Sequence, residues 1–204
     1  MLAIFRTFFK RFISYQVRAR IKGLVYDILF YQIPRLRYAW NRWGKDGPLF
    51  YNYNHNHATN SNKIKILYVV PYLLVGGAEV MLFQLLHHLD RTKFNIYVIC
   101  THDRGELANQ IEQLVDSFYD LSLSHKTVLQ KNKEISRLVD KHDIDIVHFS
   151  NSEALFFMSF TLKLKRPDVR IMNWAHCDIL FFERFYHYAY KRFGEVIDHT
   201  IVVN

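Results

Sequence analysis

Apolar and polar positions change their pattern near residue 63. From there on, short apolar runs rich in β-branched residues alternate with segments in which apolar residues recur every three or four positions. Such runs are typical of strands buried on both faces, and the longer periodicity predicts amphipathic helices between them. The predicted strands lie at residues 64–70, 94–100, 118–121, 144–149, 169–174 and 199–203.

Helices are predicted in the segments between these strands. The first follows two glycines, and the helical segments are the stripe Leu82, Leu85, Leu86 and Leu89 and residues 105–116, 129–141, 152–163 and 179–193. Strands that alternate with helices of this length favour a parallel sheet with helices on both faces. We therefore predict an α/β fold, a Rossmann-like doubly wound parallel sheet, for residues 63–204.

Residues 1–51 have a different pattern and predict a basic, aromatic-rich helical extension. Two apolar stripes at helical spacing point in different directions, which indicates a bend near residues 14–16 or two helices. The stripes are Phe5, Phe8, Phe9 and Phe12, and then Val17, Ile21, Leu24, Val25 and Ile28. Residues 52–62 are polar and aperiodic, so they are interpreted as a linker to the domain at 63–204.

The charge follows the same division. The chain carries 27 Lys+Arg and 19 Asp+Glu, a net charge of +8. Residues 1–62 hold ten basic and two acidic residues, 10 − 2 = +8, which leaves 17 of each sign in residues 63–204. The predicted domain is therefore neutral, and the surplus belongs to the extension and linker. Two cysteines exclude a disulfide scaffold and favour a reducing compartment.

The extension suggests three kinds of partner. Cations beside an apolar face suit a helix lying on an anionic membrane surface. The same composition is expected of a helix packed on the domain or on another chain. Nucleic-acid binding ranks third because no recognition motif accompanies the cations. No apolar run approaches the roughly 18 residues that span a bilayer, so we expect a cytoplasmic protein, peripheral on the cytoplasmic face of a membrane.

The first strand-to-helix turn contains the candidate ligand site. Gly76 and Gly77 stand directly before the first helix, at the edge where doubly wound folds bind ligands. Glycine lets a phosphate approach the backbone, and a helix amino terminus offers unpaired N–H groups. A plain turn that requires positive φ would also explain the pair. Neither the dinucleotide fingerprint nor a phosphate loop ending in Gly-Lys-Ser/Thr is present.

The order of several motifs resembles the amino-terminal, acceptor-side half of GT-B-fold glycosyltransferases of family 4. The first is a strand and loop ending in Gly76-Gly77-Ala78-Glu79. The others are Asp143-Ile-Asp-Ile-Val-His148, Ile171-Met-Asn-Trp-Ala-His-Cys-Asp178 and Asp198-His-Thr-Ile-Val-Val203. Two features depart from the family: Phe-Ser follows His148, and the sequence stops at Asn204, where the second Rossmann-like domain of the family begins.

The resemblance implies a reaction and its partners. Family members transfer a sugar from a nucleotide-sugar donor to a hydroxyl acceptor with retention, here a lipid-linked or cell-surface glycan, and without a cofactor or bound metal. The implied requirement for a C-terminal donor domain or a partner subunit predicts that these 204 residues alone are inactive. The alternative is a non-catalytic Rossmann-like binding or interaction module, with the extension as its anchor.

The resemblance also implies roles for single residues. His176 matches the family histidine that contacts the transferred sugar, although a loop could equally satisfy a histidine there. Gly76 and Gly77 match the turn that passes close to the donor diphosphate. The histidine would stabilise charge that develops on the sugar or on its phosphate leaving group, and the glycines would lie near the diphosphate.

Acceptor contacts are assigned to the loops after the later strands. Ser150 and Asn151 follow the fourth strand, although loop polarity alone would also produce them. Asp178 could order an acceptor hydroxyl or cap the helix predicted after it. We interpret His148 as a hydrogen-bonded core histidine and Cys100 as a core residue, because each lies in an otherwise apolar strand.

Overall fold

The computed structural model describes residues 24–25, 28, 32–36, 63–122, 127–150, 153–175 and 191–202. The chain divides into two compact units, Met1–Leu49 and Phe50–Asn204. All the described strands lie in the second unit.

Six parallel strands and four helices alternate in the described part of the second unit. They are β1 (Ile64–Tyr72), α1 (Gly77–His88), β2 (Phe94–Asp103), α2 (Ala108–Leu114), β3 (Ser117–Asp120), α3 (Val128–His142), β4 (Ile146–Ser150), α4 (Glu153–Lys165), β5 (Arg170–Ala175) and β6 (His199–Val202). The strand order is β3-β2-β1-β4-β5-β6, with every neighbouring pair parallel. This is the order of the doubly wound Rossmann fold, so the predicted fold class is confirmed.

Several predicted boundaries differ from the observed ones. β1 and β2 run on to Tyr72 and Asp103, and β1 contains Pro71 at a register shift that tolerates the missing N–H. The helix predicted at 105–116 begins only at Ala108, because Gly105 adopts a φ of 55° in a turn. Of the helix predicted at 179–193, only residues 191–193 are described, and they are helical.

Alternating strand residues build a core on each face of the sheet. On one face, buried residues of β1 and β2 pack against α1 and α2, namely Ile66, Tyr68, Val70, Leu82, Leu86, Ile96, Val98, Cys100, Ala108 and Ile111. On the other face, Leu67, Val69 and Ile99 are fully buried. There Phe149 meets Phe156 of α4 edge-on at 4.9 Å. Both faces are covered, as the continuous apolar strands predict.

Helix α3 has clear sequence signals at both ends. Thr127 caps its first turn in a capping box, accepting from the Gln130 N–H at 3.3 Å while the Gln130 side chain accepts from the Thr127 N–H at 2.9 Å. Asp143 ends the helix in the left-handed region, with φ 51°. The stripe Ile135, Leu138 and Val139 is buried, as its spacing predicts.

Three aspartates set the register at the amino-terminal edge of the sheet. Each stands directly before a strand and forms two hydrogen bonds with one residue of the neighbouring strand. The Asp116 N–H donates to the Ile96 carbonyl at 2.8 Å, and its carboxylate accepts from the Ile96 N–H at 2.5 Å. Asp145 does the same with Lys65, at 3.0 and 2.8 Å. These paired bonds align β3 with β2 and β4 with β1.

Asp198 repeats the arrangement between β6 and β5. Its N–H donates to the Ile171 carbonyl at 2.9 Å, and its carboxylate accepts from the Ile171 N–H at 2.7 Å. The nearly buried Lys163 ammonium lies 2.7 Å from the same carboxylate. Burial alone would raise the pKa of Asp198, but the hydrogen bonds from Lys163 and Ile171 outweigh it and hold the pKa below its ordinary value of 3.8.

The large apolar side chains that the structure describes in the first unit are exposed to solvent. Residues 24–25 and 33–36 are helical. Five large apolar side chains of this unit are between 41% and 68% exposed: Leu24, Val25, Ile28, Ile33 and Leu36. Among the described residues of the chain, no helix is long and apolar enough to cross a membrane.

Gly105→Ala tests the turn before α2. An alanine there would adopt a left-handed conformation, and its Cβ would lie 2.3 Å from the Leu73 backbone. We expect a loss of at least about 2 kcal/mol in the free energy of unfolding, measured by urea denaturation. Gly194→Ala is the control, because a Cβ at Gly194 meets nothing within 4 Å. Equal stability of the two variants would contradict the clash.

Asp198→Asn tests the contribution of the Asp198 carboxylate, which binds the Ile171 N–H and Lys163. Because the folded pKa is lowered, the carboxylate stabilises the fold above its unfolded pKa of about 3.9, and this contribution is lost as pH falls through the folded pKa. We expect the variant to lose about 1.5–3 kcal/mol at pH 7. The difference should shrink below about pH 4, as measured by urea denaturation across pH.

The exposed Glu106 supplies the control for this series. Glu106→Gln removes one negative charge without a partner within salt-bridge distance among the described residues. It should leave stability at pH 7 unchanged. If the difference in the free energy of unfolding between wild type and Asp198→Asn stayed constant from about pH 7 to pH 3, the charge of Asp198 would contribute nothing to stability.

Candidate functional site

The strand order reverses between β1 and β4. β2 lies on one side of β1 and β4 on the other, so the connections that leave β1 and β4 diverge to opposite faces. A crevice forms at the carboxyl ends of two such strands, and doubly wound folds bind ligands there. The residues that meet at this edge are the loop after Tyr72, which ends in Gly76, and Ser150 at the end of β4.

Neither glycine of the pair is required by the backbone. Gly76 is the N-cap of α1 in an extended conformation, with φ −139° and ψ 168°, and its carbonyl accepts from the Val80 N–H at 2.9 Å. A Cβ at Gly77 would meet nothing within 4 Å. The interpretation of the pair as a turn that requires positive φ is therefore wrong for Gly76. No described residue lies close enough to Gly77 to exclude a side chain there.

The amino terminus of α1 lacks a side-chain cap from its N-cap residue. Glu79 in the first turn folds back, and its Oε2 lies 2.5 Å from where a Cβ on Gly76 would stand. An acidic residue in the first turn is favoured by the helix dipole. The end of α1 thus combines an N-cap without a side chain and an acidic side chain that folds back over the first turn.

The loop before the glycines is held in place from β2. The Leu73 N–H donates to the Asp103 carbonyl at 3.1 Å, and the Leu73 carbonyl accepts from the Leu107 N–H at 3.0 Å. Gly105 makes this contact possible, because any side chain there would strike the Leu73 backbone. The sequence interpretation assigned Gly105 only to the start of a helix. Its position two residues after β2 is compatible with a turn, but the close approach to Leu73 that requires a glycine is not visible in the sequence.

Ser150 lies inside the sheet rather than beyond it. It is the last residue of β4, pairs in register with Trp174 of β5, and is only 9% exposed. The expectation that it follows the strand was wrong by one residue, because the β4–β5 ladder continues through it. Its assignment to acceptor binding stays a prediction.

The core positions predicted for two residues are confirmed, and the hydrogen bond expected for His148 stays a prediction. His148 is buried, with its ring edge-on to Tyr68 at 5.0 Å and 5.5 Å from the Trp174 ring. Cys100 is fully buried, and burial raises the pKa of its thiol to about 11. A thiol held in its neutral form is a poor nucleophile, so Cys100 contributes packing rather than chemistry.

Three predicted site residues lie outside the described residues. They are Asn151, His176 and Asp178. Their assignments to catalysis and acceptor binding stay predictions. Among the described residues, no group of three or more His, Cys, Asp or Glu side chains is arranged to hold a metal ion, and the expectation of metal-independent chemistry is likewise untested.

A parallel sheet with this strand order and helices on both faces belongs to the class of Rossmann-like, doubly wound α/β domains. The family model described as Glycosyltransferase Family 4 matches residues 75–204, well over half of the chain. The chain therefore belongs to glycosyltransferase family 4. No curated protein matches it by sequence.

Solved structures similar to this chain include enzymes that act on sugars. The apo form of the lipopolysaccharide outer core galactosyltransferase WaaB is 14% identical, with a TM-score of 0.49 over 67% of this chain and 38% of its own. MurG from Acinetobacter baumannii is 8% identical, with a TM-score of 0.48 over 69% and 41%. UDP-N-acetylglucosamine 2-epimerase from Rickettsia bellii is 15% identical, with a TM-score of 0.46 over 70% and 39%.

The chain thus spans about two fifths of the length of these structures. Likeness at this level concerns the fold and carries no information on substrate. The family and the fold are established by the family match and the strand order, and the reaction is a separate question.

Proposed function

We propose that the chain is the acceptor-side half of a glycosyltransferase that moves a sugar from a nucleotide-sugar donor to a hydroxyl acceptor. Membership of the family supports the reaction type. The observation that carries the proposal to this site is Gly77, which has neither a backbone reason nor a packing reason among the described residues to lack a side chain. A diphosphate that approaches the first turn of α1 would supply that reason.

The proposed role of α1 in the reaction is electrostatic stabilisation of the leaving group. When the sugar leaves, negative charge builds up on the diphosphate. Unpaired N–H groups and the positive end of a twelve-residue helix stabilise that charge without a side-chain cation. This fits a domain whose residues 63–204 carry equal numbers of acidic and basic side chains. In the proposed reaction, the bound donor displaces the Glu79 carboxylate from the amino terminus of α1.

His176, Ser150, Asn151 and Asp178 complete the proposal as predicted contacts to the sugar and the acceptor. β4 and β5 are neighbours in the sheet and end at Ser150 and Ala175. The segments that follow them therefore leave from the same edge as the α1 loop. A C-terminal donor domain or a partner subunit would close the other side of this crevice and exclude water.

Gly77→Ala tests the donor site. The variant should fold with wild-type stability, because its Cβ enters open space. It should weaken binding of UDP-glucose and of pyrophosphate by about tenfold or more, since overpacking a contact costs roughly 1–3 kcal/mol. Amide NMR titrations of residues 77–79 measure binding, and thermal melts measure folding. Unchanged affinity in a folded variant would remove α1 from the donor site.

Transfer itself separates the enzyme from the non-catalytic alternative. The chain is incubated with radiolabelled UDP-, GDP- and ADP-glucose and a membrane lipid extract, with and without an added family 4 donor domain. Label that enters the lipid or glycan fraction, and is lost in His176→Ala, supports glycosyl transfer. Diphosphate binding without transfer under any of these conditions supports a binding module.

We further propose that residues 1–51 bind an anionic membrane surface from the cytoplasmic side. The support is the charge of +8 confined to residues 1–62, together with five large apolar side chains exposed in the described part of this unit. Apolar groups enter the headgroup region while cations meet anionic lipids. An acceptor that is itself lipid-linked would then lie on the same membrane as the chain.

Vesicle co-sedimentation tests the membrane proposal with the full chain. The protein should pellet with vesicles of phosphatidylglycerol and phosphatidylcholine, less at high salt, and not with phosphatidylcholine alone. Replacing Leu24, Val25 and Ile28 by Ser should weaken pelleting about tenfold or more, since each buried aliphatic side chain contributes roughly 1.5–3 kcal/mol. Leu129→Ser, at a 63% exposed position of α3, is the control. Equal pelleting of the triple variant and the control would contradict membrane binding through these apolar side chains.

A further inference from the structure

A second group of polar side chains lies at the carboxyl end of β2, one strand away from the switch point. It consists of Tyr72, Thr101, His102 and Lys131, which we call the β2-end cluster. Tyr72 pairs in register with Asp103, so the ends of β1 and β2 stand side by side. The loop that leaves Tyr72 runs directly into Gly76. The cluster therefore flanks the proposed donor site on the side away from β4.

Lys131 supplies a cation to this cluster. It lies in the first turn and a half of α3 and donates from Nζ to the Thr101 carbonyl. The side chain is half-buried, and among the described residues no carboxylate lies within salt-bridge distance of it. Burial lowers the pKa of its ammonium. A partly desolvated ammonium without a counter-ion attracts an anionic group.

Two carboxylates near Cys100 on this edge each accept hydrogen bonds through one oxygen from their own loops. Asp103 accepts from the Gly105 N–H at 3.1 Å. Asp120 accepts from the Ser122 N–H at 2.8 Å and from the Ser122 hydroxyl at 2.5 Å. Both carboxylates stabilise turns, and among the described residues neither lies within salt-bridge distance of Lys131.

The Thr101 hydroxyl lies 3.3 Å from the Val70 carbonyl and 2.9 Å from His102 Nδ1. When the hydroxyl donates to Val70, its oxygen accepts from the Nδ1–H of His102, and in that tautomer Nε2 carries a lone pair. Burial and the nearby Lys131 charge both lower the pKa of His102. The exposed imidazole is thus a neutral acceptor suited to a hydroxyl group.

Tyr72 adds an apolar surface beside this acceptor. Its ring centroid lies 5.4 Å from that of His102, with the planes inclined by 37°, and both side chains are exposed. An exposed aromatic ring can pack against the C–H face of a pyranose. A flat ring, a hydroxyl acceptor and a cation together match a sugar that carries a negative charge.

We propose that the β2-end cluster is an acceptor subsite for an anionic sugar unit, whose carboxylate or phosphate binds Lys131, whose hydroxyl donates to His102 Nε2, and whose ring packs on Tyr72. This inference rests on the proposed glycosyl transfer and names the acceptor class for it. The subsite binds its ligand independently of the donor, so it has its own readout.

The test is an NMR titration of the full chain with methyl glucuronide, with the neutral methyl glucoside as comparison. The amide signals of Thr101, His102 and Lys131 should shift, and the glucuronide should bind about tenfold more tightly, as expected for one charge-assisted contact. Lys131→Gln, which keeps an N–H donor for the Thr101 carbonyl, should bind both sugars equally. Lys133→Gln removes the same charge from an exposed position of α3 and should keep the preference.

Glucose 1-phosphate and inorganic phosphate separate the sources of the charge. Binding of glucose 1-phosphate that weakens in both Lys131→Gln and Tyr72→Ala supports a sugar subsite. Equal binding of inorganic phosphate, unaffected by Tyr72→Ala, would reduce the cluster to a bare anion site and overturn the sugar assignment. Equal affinity for glucuronide and glucoside in the wild type would overturn the charge assignment.

Failure of this subsite is distinguishable from failure of the proposed function. The UDP-glucose titration at residues 77–79 reports the donor site, whereas the glucuronide titration reports the β2-end cluster. Donor binding without glucuronide binding overturns only the subsite. Thermal melts of each variant show that a lost signal does not come from lost folding.

Discussion

The pairing of three aspartates with the backbone of neighbouring strands fixes the geometry on which the crevice depends. In each pair, one aspartate replaces the next residue of the ladder and binds both the N–H and the carbonyl of a single residue. A shift of one residue would turn every strand side chain to the opposite face of the sheet. These aspartate pairs lie at the amino-terminal edge of the sheet, whereas the candidate ligand site lies at the carboxyl-terminal edge. The strand register is therefore set at the edge opposite the candidate site.

One of these aspartates belongs to a motif that first suggested the family. Asp145 opens the Asp-Ile-Val-His segment, and its carboxylate caps Lys65 across the β1–β4 pair. β1 and β4 are the two strands between which the order reverses. The family signature at this position therefore reports strand alignment at the switch point rather than contact with a substrate.

Much of the fold follows from local sequence patterns, and the exceptions have physical reasons. The apolar runs predict all of the described strands, because strands covered on both faces need no polar alternation. Their ends are less predictable: β1 continues through Pro71 because a register shift removes the need for its N–H. Gly105 is hidden to pattern analysis because its role depends on Leu73, a residue that is distant along the chain and close only in the fold.

Some residues of the candidate site can be predicted from the local sequence, and others are brought together only by the fold. Gly76 and Gly77 are visible in the sequence because glycine pairs before a helix are locally distinctive. The β2-end cluster is not visible, because Thr101, His102 and Lys131 come from two elements separated by β3, and only the packing of α3 on the sheet unites them. Single polar residues at strand ends give no signal of what they face.

The contact between Leu73 and Gly105 has a consequence for how such proteins diverge. It joins the loop that leads to the glycine pair with the loop that leaves the β2-end cluster, through backbone groups alone. An insertion or a new side chain in either loop therefore moves the other. On the proposed function, donor placement and acceptor preference would therefore be coupled in this chain, and new specificities would arise more readily from side-chain changes on α3 than from changes in loop length.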